Sequence, residues 1–150
     1  MILISHRGNI SGSNPDYENS PSYINHALNK GFECEIDVWM IDSCIYLGHD
    51  EPKYKTSTDF ISNNKLWCHA KTKEALRFML DHNIHCFWHE KDQFTITSKG
   101  IAWCHENSRL KGGIFMTDSI EDKQTFVNYV NNNKKQQPLG VCSNFLLHTS

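Results

Sequence analysis

Short apolar runs recur along the chain, each closed by a polar or glycine-bearing segment: Ile2 to His6, Phe32 to Met40, Ile45 to Gly48, Leu66 to Ala70, His85 to His89, Phe94 to Thr97, Ile101 to Cys104, Ile114 to Thr117 and Val141 to Phe145. Their β-branched and aromatic content predicts strands. Apolar residues at helical spacing predict helices over Pro21 to Asn29, Thr72 to His82 and Ser119 to Val130. Ser20 before Pro21, Thr72 before Lys73-Glu74, and Asp118-Ser119 read as their starts. The strand, helix, strand rhythm of the first half predicts parallel pairing. Phe94 to Cys104 instead holds two strand-like runs around Ser98-Lys99-Gly100, with room only for a tight turn. Asn131 to Gln137 reads as a polar surface loop before the last strand.

Length changes this picture most. An eightfold β/α barrel usually takes about 250 residues, whereas the chain has 150. The expected fold is therefore α/β, a reduced TIM-type β/α barrel with several outer helices shortened or missing, in a single domain spanning 1–150. Barrel surface left bare by missing helices would suit a second subunit, so a homodimer fits. Fifteen Lys and Arg against 17 Asp and Glu leave a net charge of -2, which offers no broad positive field to a nucleic acid. No apolar stretch is long enough to span a bilayer, and the first residues lack the basic start of a secretory signal. Six cysteines without a close CxxC pair suit free thiols in a reducing compartment, so the expected location is cytoplasmic.

Polar clusters end three of the apolar runs: His6-Arg7-Gly8, Glu35-Ile36-Asp37 and Gly48-His49-Asp50. In a strand Glu35 and Asp37 share one face, while Ile36, Val38 and Met40 share the other. Inside a closed parallel sheet two carboxylates are costly unless a cation or hydrogen bonds compensate them, which suits a hard divalent ion. Taken alone, the Glu35, Asp37 pair fits a solvated strand face better. Arg7 could grip phosphate oxygens bidentately, with Gly8 letting the backbone approach a ligand. His6 and His49 offer two imidazoles, as phosphodiester cleavage needs an acid and a base near neutral pH. Among nine histidines, any one taken singly is more often a surface or core residue. Lys71 shares a strand face with Trp67 and His69, and either neutralises charge on a phosphoryl group or is a solvated lysine at a helix start.

His6-Arg7-Gly8, Glu18-Asn19-Ser20, the segment Gly31 to Val38 and Gly48-His49-Asp50 together resemble, in order and spacing, the signature of the glycerophosphodiester phosphodiesterase family. The resemblance is strong over Ile2 to Asp50, continues through Leu66 to Lys71 and is thin afterwards. It implies a β/α barrel fold and a metal-dependent phosphodiesterase acting on a small-molecule glycerophosphodiester or a related phosphodiester. His6 and His49 would be the acid and base, Arg7, Asn19 and Lys71 would contact the substrate, and Glu35 and Asp37 would hold the metal. Glu18 would be a further metal ligand or a support behind the site. Longer family members carry a metal-binding glutamate where His69 stands. His69 could bind the ion itself, which would favour Mn²⁺ or Zn²⁺ over Ca²⁺, or could leave more water ligands. His89 or Glu90 could also supply the missing contact. The expected cofactor is a divalent metal, Mg²⁺ first, with Ca²⁺ or Mn²⁺ as alternatives. His69-Ala70-Lys71, Phe87-Trp88-His89 and Thr97-Ser98-Lys99-Gly100 further resemble segments of short members of this superfamily.

Two other readings compete. His69 in place of a carboxylate would suit a non-catalytic module that keeps the pocket and holds a phosphorylated ligand. Cys68-His69 and Cys104-His105 could be pieces of a structural zinc site, although neighbouring strand residues face opposite ways.

Overall fold

Hydroxyl and carboxylate side chains start each helix. Ser20 caps α1 (Pro21–Asn29), Ser57 caps the short α2 (Thr58–Ile61), Thr72 caps α3 (Lys73–Asp81) and Asp122 caps α4 (Lys123–Asn133), each accepting a hydrogen bond from a first-turn backbone N–H. The computed structural model describes residues 1–148 and interleaves these helices with ten strands. They are β1 (Ile2–His6), β2 (Glu33–Ile41), β3 (Cys44–Leu47), β4 (Tyr54–Thr56), β5 (Leu66–Ala70), β6 (Cys86–Phe87), β7 (Phe94–Ile96), β8 (Ala102–Cys104), β9 (Ile114–Met116) and β10 (Gly140–Ser143).

All ten strands lie in one curled sheet, in the order β4-β3-β2-β1-β10-β9-β8-β7, with β5 on the second edge of β2 and β6 beyond β5. The pairs β1·β2, β2·β5, β5·β6, β1·β10, β9·β10 and β8·β9 are parallel. The hairpins β2·β3, β3·β4 and β7·β8 are antiparallel. The sheet curls back on itself: the Ser98 N–H donates to the Cys86 carbonyl at 2.8 Å, and the Cys86 N–H donates to Ser98 Oγ at 2.9 Å. Over the described residues the protein is thus mixed α/β, with a curled, mainly parallel sheet and four α-helices.

Strand alternation sorts side chains between the two faces. Cys34, Ile36, Val38, Cys68 and Ala70 pack outward against Ile24, Ala75 and Met79 of the helices. Ile4, Trp67, Phe87, Trp103, Ile114 and Met116 fill the inside of the curl. There Trp103 lies 4.7 Å from Phe87 and 5.7 Å from Trp67, ring centre to ring centre. This aromatic layer is the floor on which the polar residues at the strand ends stand.

Three expectations need correction, and two short elements were not anticipated. Thr117 Oγ1 accepts from the Ser119 N–H and bonds the Ser119 hydroxyl, so this segment is a turn and the helix begins after Asp122. The tract 131–137 is not a loop: α4 runs to Asn133 and a 3₁₀ turn covers Lys134–Gln136. Tertiary anchors extend it, because Asn133 accepts from Arg109 Nε at 2.9 Å and donates to the Tyr129 carbonyl at 2.8 Å. The run 85–89 yields only a two-residue strand. Short, polar β4 and α2 carry too little apolar pattern to be legible.

The chain forms no helix between β6 and β9, and Phe94 and Ile96 are exposed there. All six cysteines are free thiols. Among the described residues, no helix is long and apolar enough to cross a membrane.

Candidate functional site

Parallel register gathers the polar strand ends. His6 pairs with Glu35 across β1 and β2, and Asp37 pairs with His69 across β2 and β5. Residues far apart in the chain thereby share one rim, where a cavity of about 650 Å³ opens. His6, Arg7, Glu35, His49, His69 and Lys71 line it, together with His89, His105, Glu106 and Asp118. A pocket of about 320 Å³ adjoins it, sharing Arg7 and His49 and walled by Glu18 and Lys53.

Two buried carboxylates form its centre. Asp37 is fully enclosed: Asn19 Nδ2 donates to Oδ2 at 2.9 Å, Arg7 Nε stands 3.4 Å from Oδ2, and His69 Nδ1 lies 3.1 Å from Oδ1. Burial opposes its charge, but His69, Arg7 and Asn19 outweigh burial and hold Asp37 below the usual carboxylate range. Glu35 has no such support. Its Oε2 is buried with no hydrogen-bond partner among the described residues, and burial together with the nearby Asp37 charge pushes its pKa well up, against the pull of Arg7 and Lys71. An unpaired buried carboxylate oxygen is costly, and a bound cation would relieve it. One ligand atom each from Glu35, Asp37 and His69 lies within 4.8 Å of the others, so these three fit a divalent ion.

Arg7 and Asn19 both adopt left-handed backbone conformations, φ 58° and 66°. The Asn19 N–H donates to the Arg7 carbonyl at 3.0 Å, locking the two turns together. Such conformations cost on the order of 1 kcal/mol each in residues with side chains. Here they aim Arg7 at the carboxylates and Asn19 at Asp37. Glu18 accepts from Arg7 Nη1 at 3.2 Å and Asn9 Nδ2 at 2.9 Å, so it orients the guanidinium and stands outside the three-residue metal cluster. Asn19, expected to touch substrate, has both ends of its amide committed to Asp37: its Oδ1 accepts from the Asp37 N–H at 2.9 Å.

The two expected acid and base residues differ in setting. His6 is buried, and its pKa falls to about 4 through burial and the Arg7 charge. Its Nδ1 lies 2.8 Å from Asn144 Oδ1. Asn144 Nδ2 donates to the Asp118 carbonyl and to Glu121, which fixes the amide orientation and makes His6 Nδ1 the donor. Nε2 of the neutral ring is then the free acceptor, 3.9 Å from Glu35. His49 sits at the cavity mouth with Nδ1 on Asp50 at 2.7 Å. An added Cβ at Gly48 would collide with the Glu51 carbonyl, so this turn requires glycine.

Asn9 and Asn144 are site residues that the sequence did not place in the site, and His105, named only in the zinc reading, lines the cavity as well. Asn9 is fully buried, donating to Glu18 and to Asn144 and accepting from Tyr23 Oη. Asn9 stands two residues beyond Arg7 and was within reach of a motif reading. Asn144 lies beyond the last strand with no motif around it. His105 stacks on His89 at 3.6 Å, and burial together with nearby histidines lowers its pKa to about 4. The cysteines of the alternative zinc reading pack away from the cavity, Cys68 among the helix-facing core and Cys104 against Ala102 and Phe115. Neither joins a metal-competent cluster among the described residues.

No family model matches the chain, and neither a curated protein nor a solved structure matches it.

Proposed function

We propose that the protein is a metal-dependent phosphodiesterase of the glycerophosphodiester phosphodiesterase type, on a reduced β/α barrel, cleaving a phosphodiester by hydrolysis or by internal attack of a neighbouring hydroxyl. The observation that carries this reading is the convergence of His6, Arg7, Glu35, Asp37, His49, His69 and Lys71 on one cavity rim. A solvated strand face would not bury Glu35 and Asp37 among cations.

Glu35, Asp37 and His69 would hold the divalent ion, which when bound orients the attacking oxygen and offsets charge on the phosphoryl group. His6, neutral with Nε2 free, accepts the proton of the attacking hydroxyl or water. Arg7, with one Nη on Glu18, leaves the other for a phosphate oxygen, and Lys71 supplies a second positive charge on the rim. His49 at the mouth donates a proton to the departing alkoxide, which can leave through the adjoining pocket beside it.

The test is release of glycerol phosphate or choline from glycerophosphocholine, and cleavage of lysophospholipids, with EDTA or with added Mg²⁺, Mn²⁺ or Ca²⁺. Metal-dependent turnover should fall by about 10²–10⁴-fold in His6→Ala and His49→Ala. No turnover of any such diester by the wild type under any ion would overturn the reading. One observation favours the binding module instead: His49 is partly exposed and tied to an exposed Asp50. Tight binding of a glycerophosphodiester without product after long incubation would favour that alternative.

A further inference from the structure

We infer that the site is built for a nitrogen-binding transition-metal ion of the Mn²⁺, Fe²⁺ or Zn²⁺ class, held through Nδ1 of His69, in preference to Mg²⁺ or Ca²⁺. The inference deepens the phosphodiesterase reading by naming the ion, and rests on that reading only for the ion's use in turnover. It starts from the two ring nitrogens of His69. Nε2 lies 3.1 Å from the backbone carbonyl oxygen of His89. A carbonyl only accepts, so Nε2 carries the proton. In the neutral ring Nδ1 is then a lone pair, and it points at Asp37 Oδ1, another acceptor, 3.1 Å away. Two acceptors at hydrogen-bond distance need a positive centre between them: a proton on Nδ1, which lowers the Asp37 pKa while no ion is bound, or a metal ion in its place.

Glu35 makes the same demand, because its buried Oε2 has no hydrogen-bond donor among the described residues. Lys71 and Arg7 contribute charge to Glu35 but no hydrogen bond to that oxygen. One ion touching Glu35, Asp37 and His69 would satisfy all three groups. The outer supports are those of a metal site: His69 Nε2–H on a carbonyl and Asp37 Oδ2 on the Asn19 amide. Stacking on Phe87, with ring centres 5.1 Å apart and planes 3° apart, holds the imidazole in that orientation.

Ligand chemistry then selects the ion. Mg²⁺ and Ca²⁺ take oxygen ligands almost exclusively, whereas imidazole suits Fe²⁺ and Zn²⁺, and Mn²⁺, at the start of the same transition series, accepts one beside carboxylates. One imidazole beside two carboxylates also leaves coordination positions open on an ion of this class, as a catalytic ion needs.

The test reads binding separately from turnover. Metal-free protein is loaded with one equivalent of Mn²⁺, and its electron spin echo modulation is recorded for unlabelled and ¹⁵N-histidine-labelled protein. Wild type should show nitrogen coupling that changes with the label. His69→Gln should lose it, and His69→Glu should lose it while binding Mg²⁺ more tightly than wild type does. Circular dichroism checks that both variants fold. Retention of the coupling in folded His69→Gln, its absence in wild type, or displacement of Mn²⁺ by equimolar Mg²⁺ would each overturn the inference. Absence of any bound ion would do the same, leaving a proton between His69 and Asp37. Oxygen-only coordination with turnover would sink the inference and keep the phosphodiesterase reading, whereas nitrogen coordination without turnover would do the reverse.

Discussion

His6 owes its protonation pattern to a residue at the far end of the chain. Asn144 presents its oxygen because its nitrogen is taken by the Asp118 carbonyl and Glu121, so His6 keeps its proton on Nδ1 and its lone pair toward the cavity. Asn144→Ala should therefore lower kcat, by less than the loss of His6 itself, while KM changes little. Steady-state kinetics with the diester used for the wild type check this. Wild-type kcat in Asn144→Ala would contradict the tautomer assigned to His6. Asp37 shows the same dependence on neighbours, since burial alone would push its pKa up and only His69, Arg7 and Asn19 reverse the sign.

The strand β2 unites the site because its two edges take different partners. Residues 33–35 pair with β1, residues 38–41 pair with β3, and the opposite edge pairs with β5. One strand thus brings His6, the two carboxylates, the turn of His49 and the end of β5 to one rim. Trp39 Nε1 donates to the Gly48 carbonyl at 2.6 Å, fastening the His49 turn to β2. Gly48→Ala forces a Cβ against the Glu51 carbonyl and should cost on the order of 1–3 kcal/mol, measured by denaturant unfolding. It should also reduce turnover, because the turn that must shift carries His49. Wild-type stability together with wild-type turnover would show that the turn relaxes freely.

The curl of the whole sheet closes where β6 meets the turn after β7, and His85 sits in that seam. Its Nε2 bonds Thr97 Oγ1 at 2.7 Å and its ring packs on Trp67. Burial, with Lys99 nearby, lowers its pKa from 6.5 to about 4. The unfolded chain therefore binds the extra proton between those two values, so this contribution to stability is full above 6.5 and is lost as pH falls towards 4. His6 and His105 add to the same trend, while Glu35, with its raised pKa, opposes it. Denaturant unfolding at neutral pH and near pH 5 should show wild type losing more stability on acidification than His85→Gln, which keeps a donor for Thr97. Equal losses would show that the seam does not sense pH.

Much of this protein is legible in one dimension. Strand period, helix caps and the placement of His6-Arg7-Gly8, Glu35-Ile36-Asp37 and His49 at the ends of apolar runs follow from local sterics and from which side chains can be buried. The alternation Trp67, Cys68, His69 already separates an inward face from an outward one. Tertiary structure alone decided that Asn19 serves Asp37 and Glu18 serves Arg7. It likewise decided that Asn144 sets the His6 tautomer, and that α4 runs on to Asn133. The physical reason is common to these cases. Hydrogen-bond direction, tautomer and burial depend on which atoms fold into contact, and a pattern along the chain does not say which partner a side chain meets, whether 11 residues away, as Glu18 is from Arg7, or 138, as Asn144 is from His6.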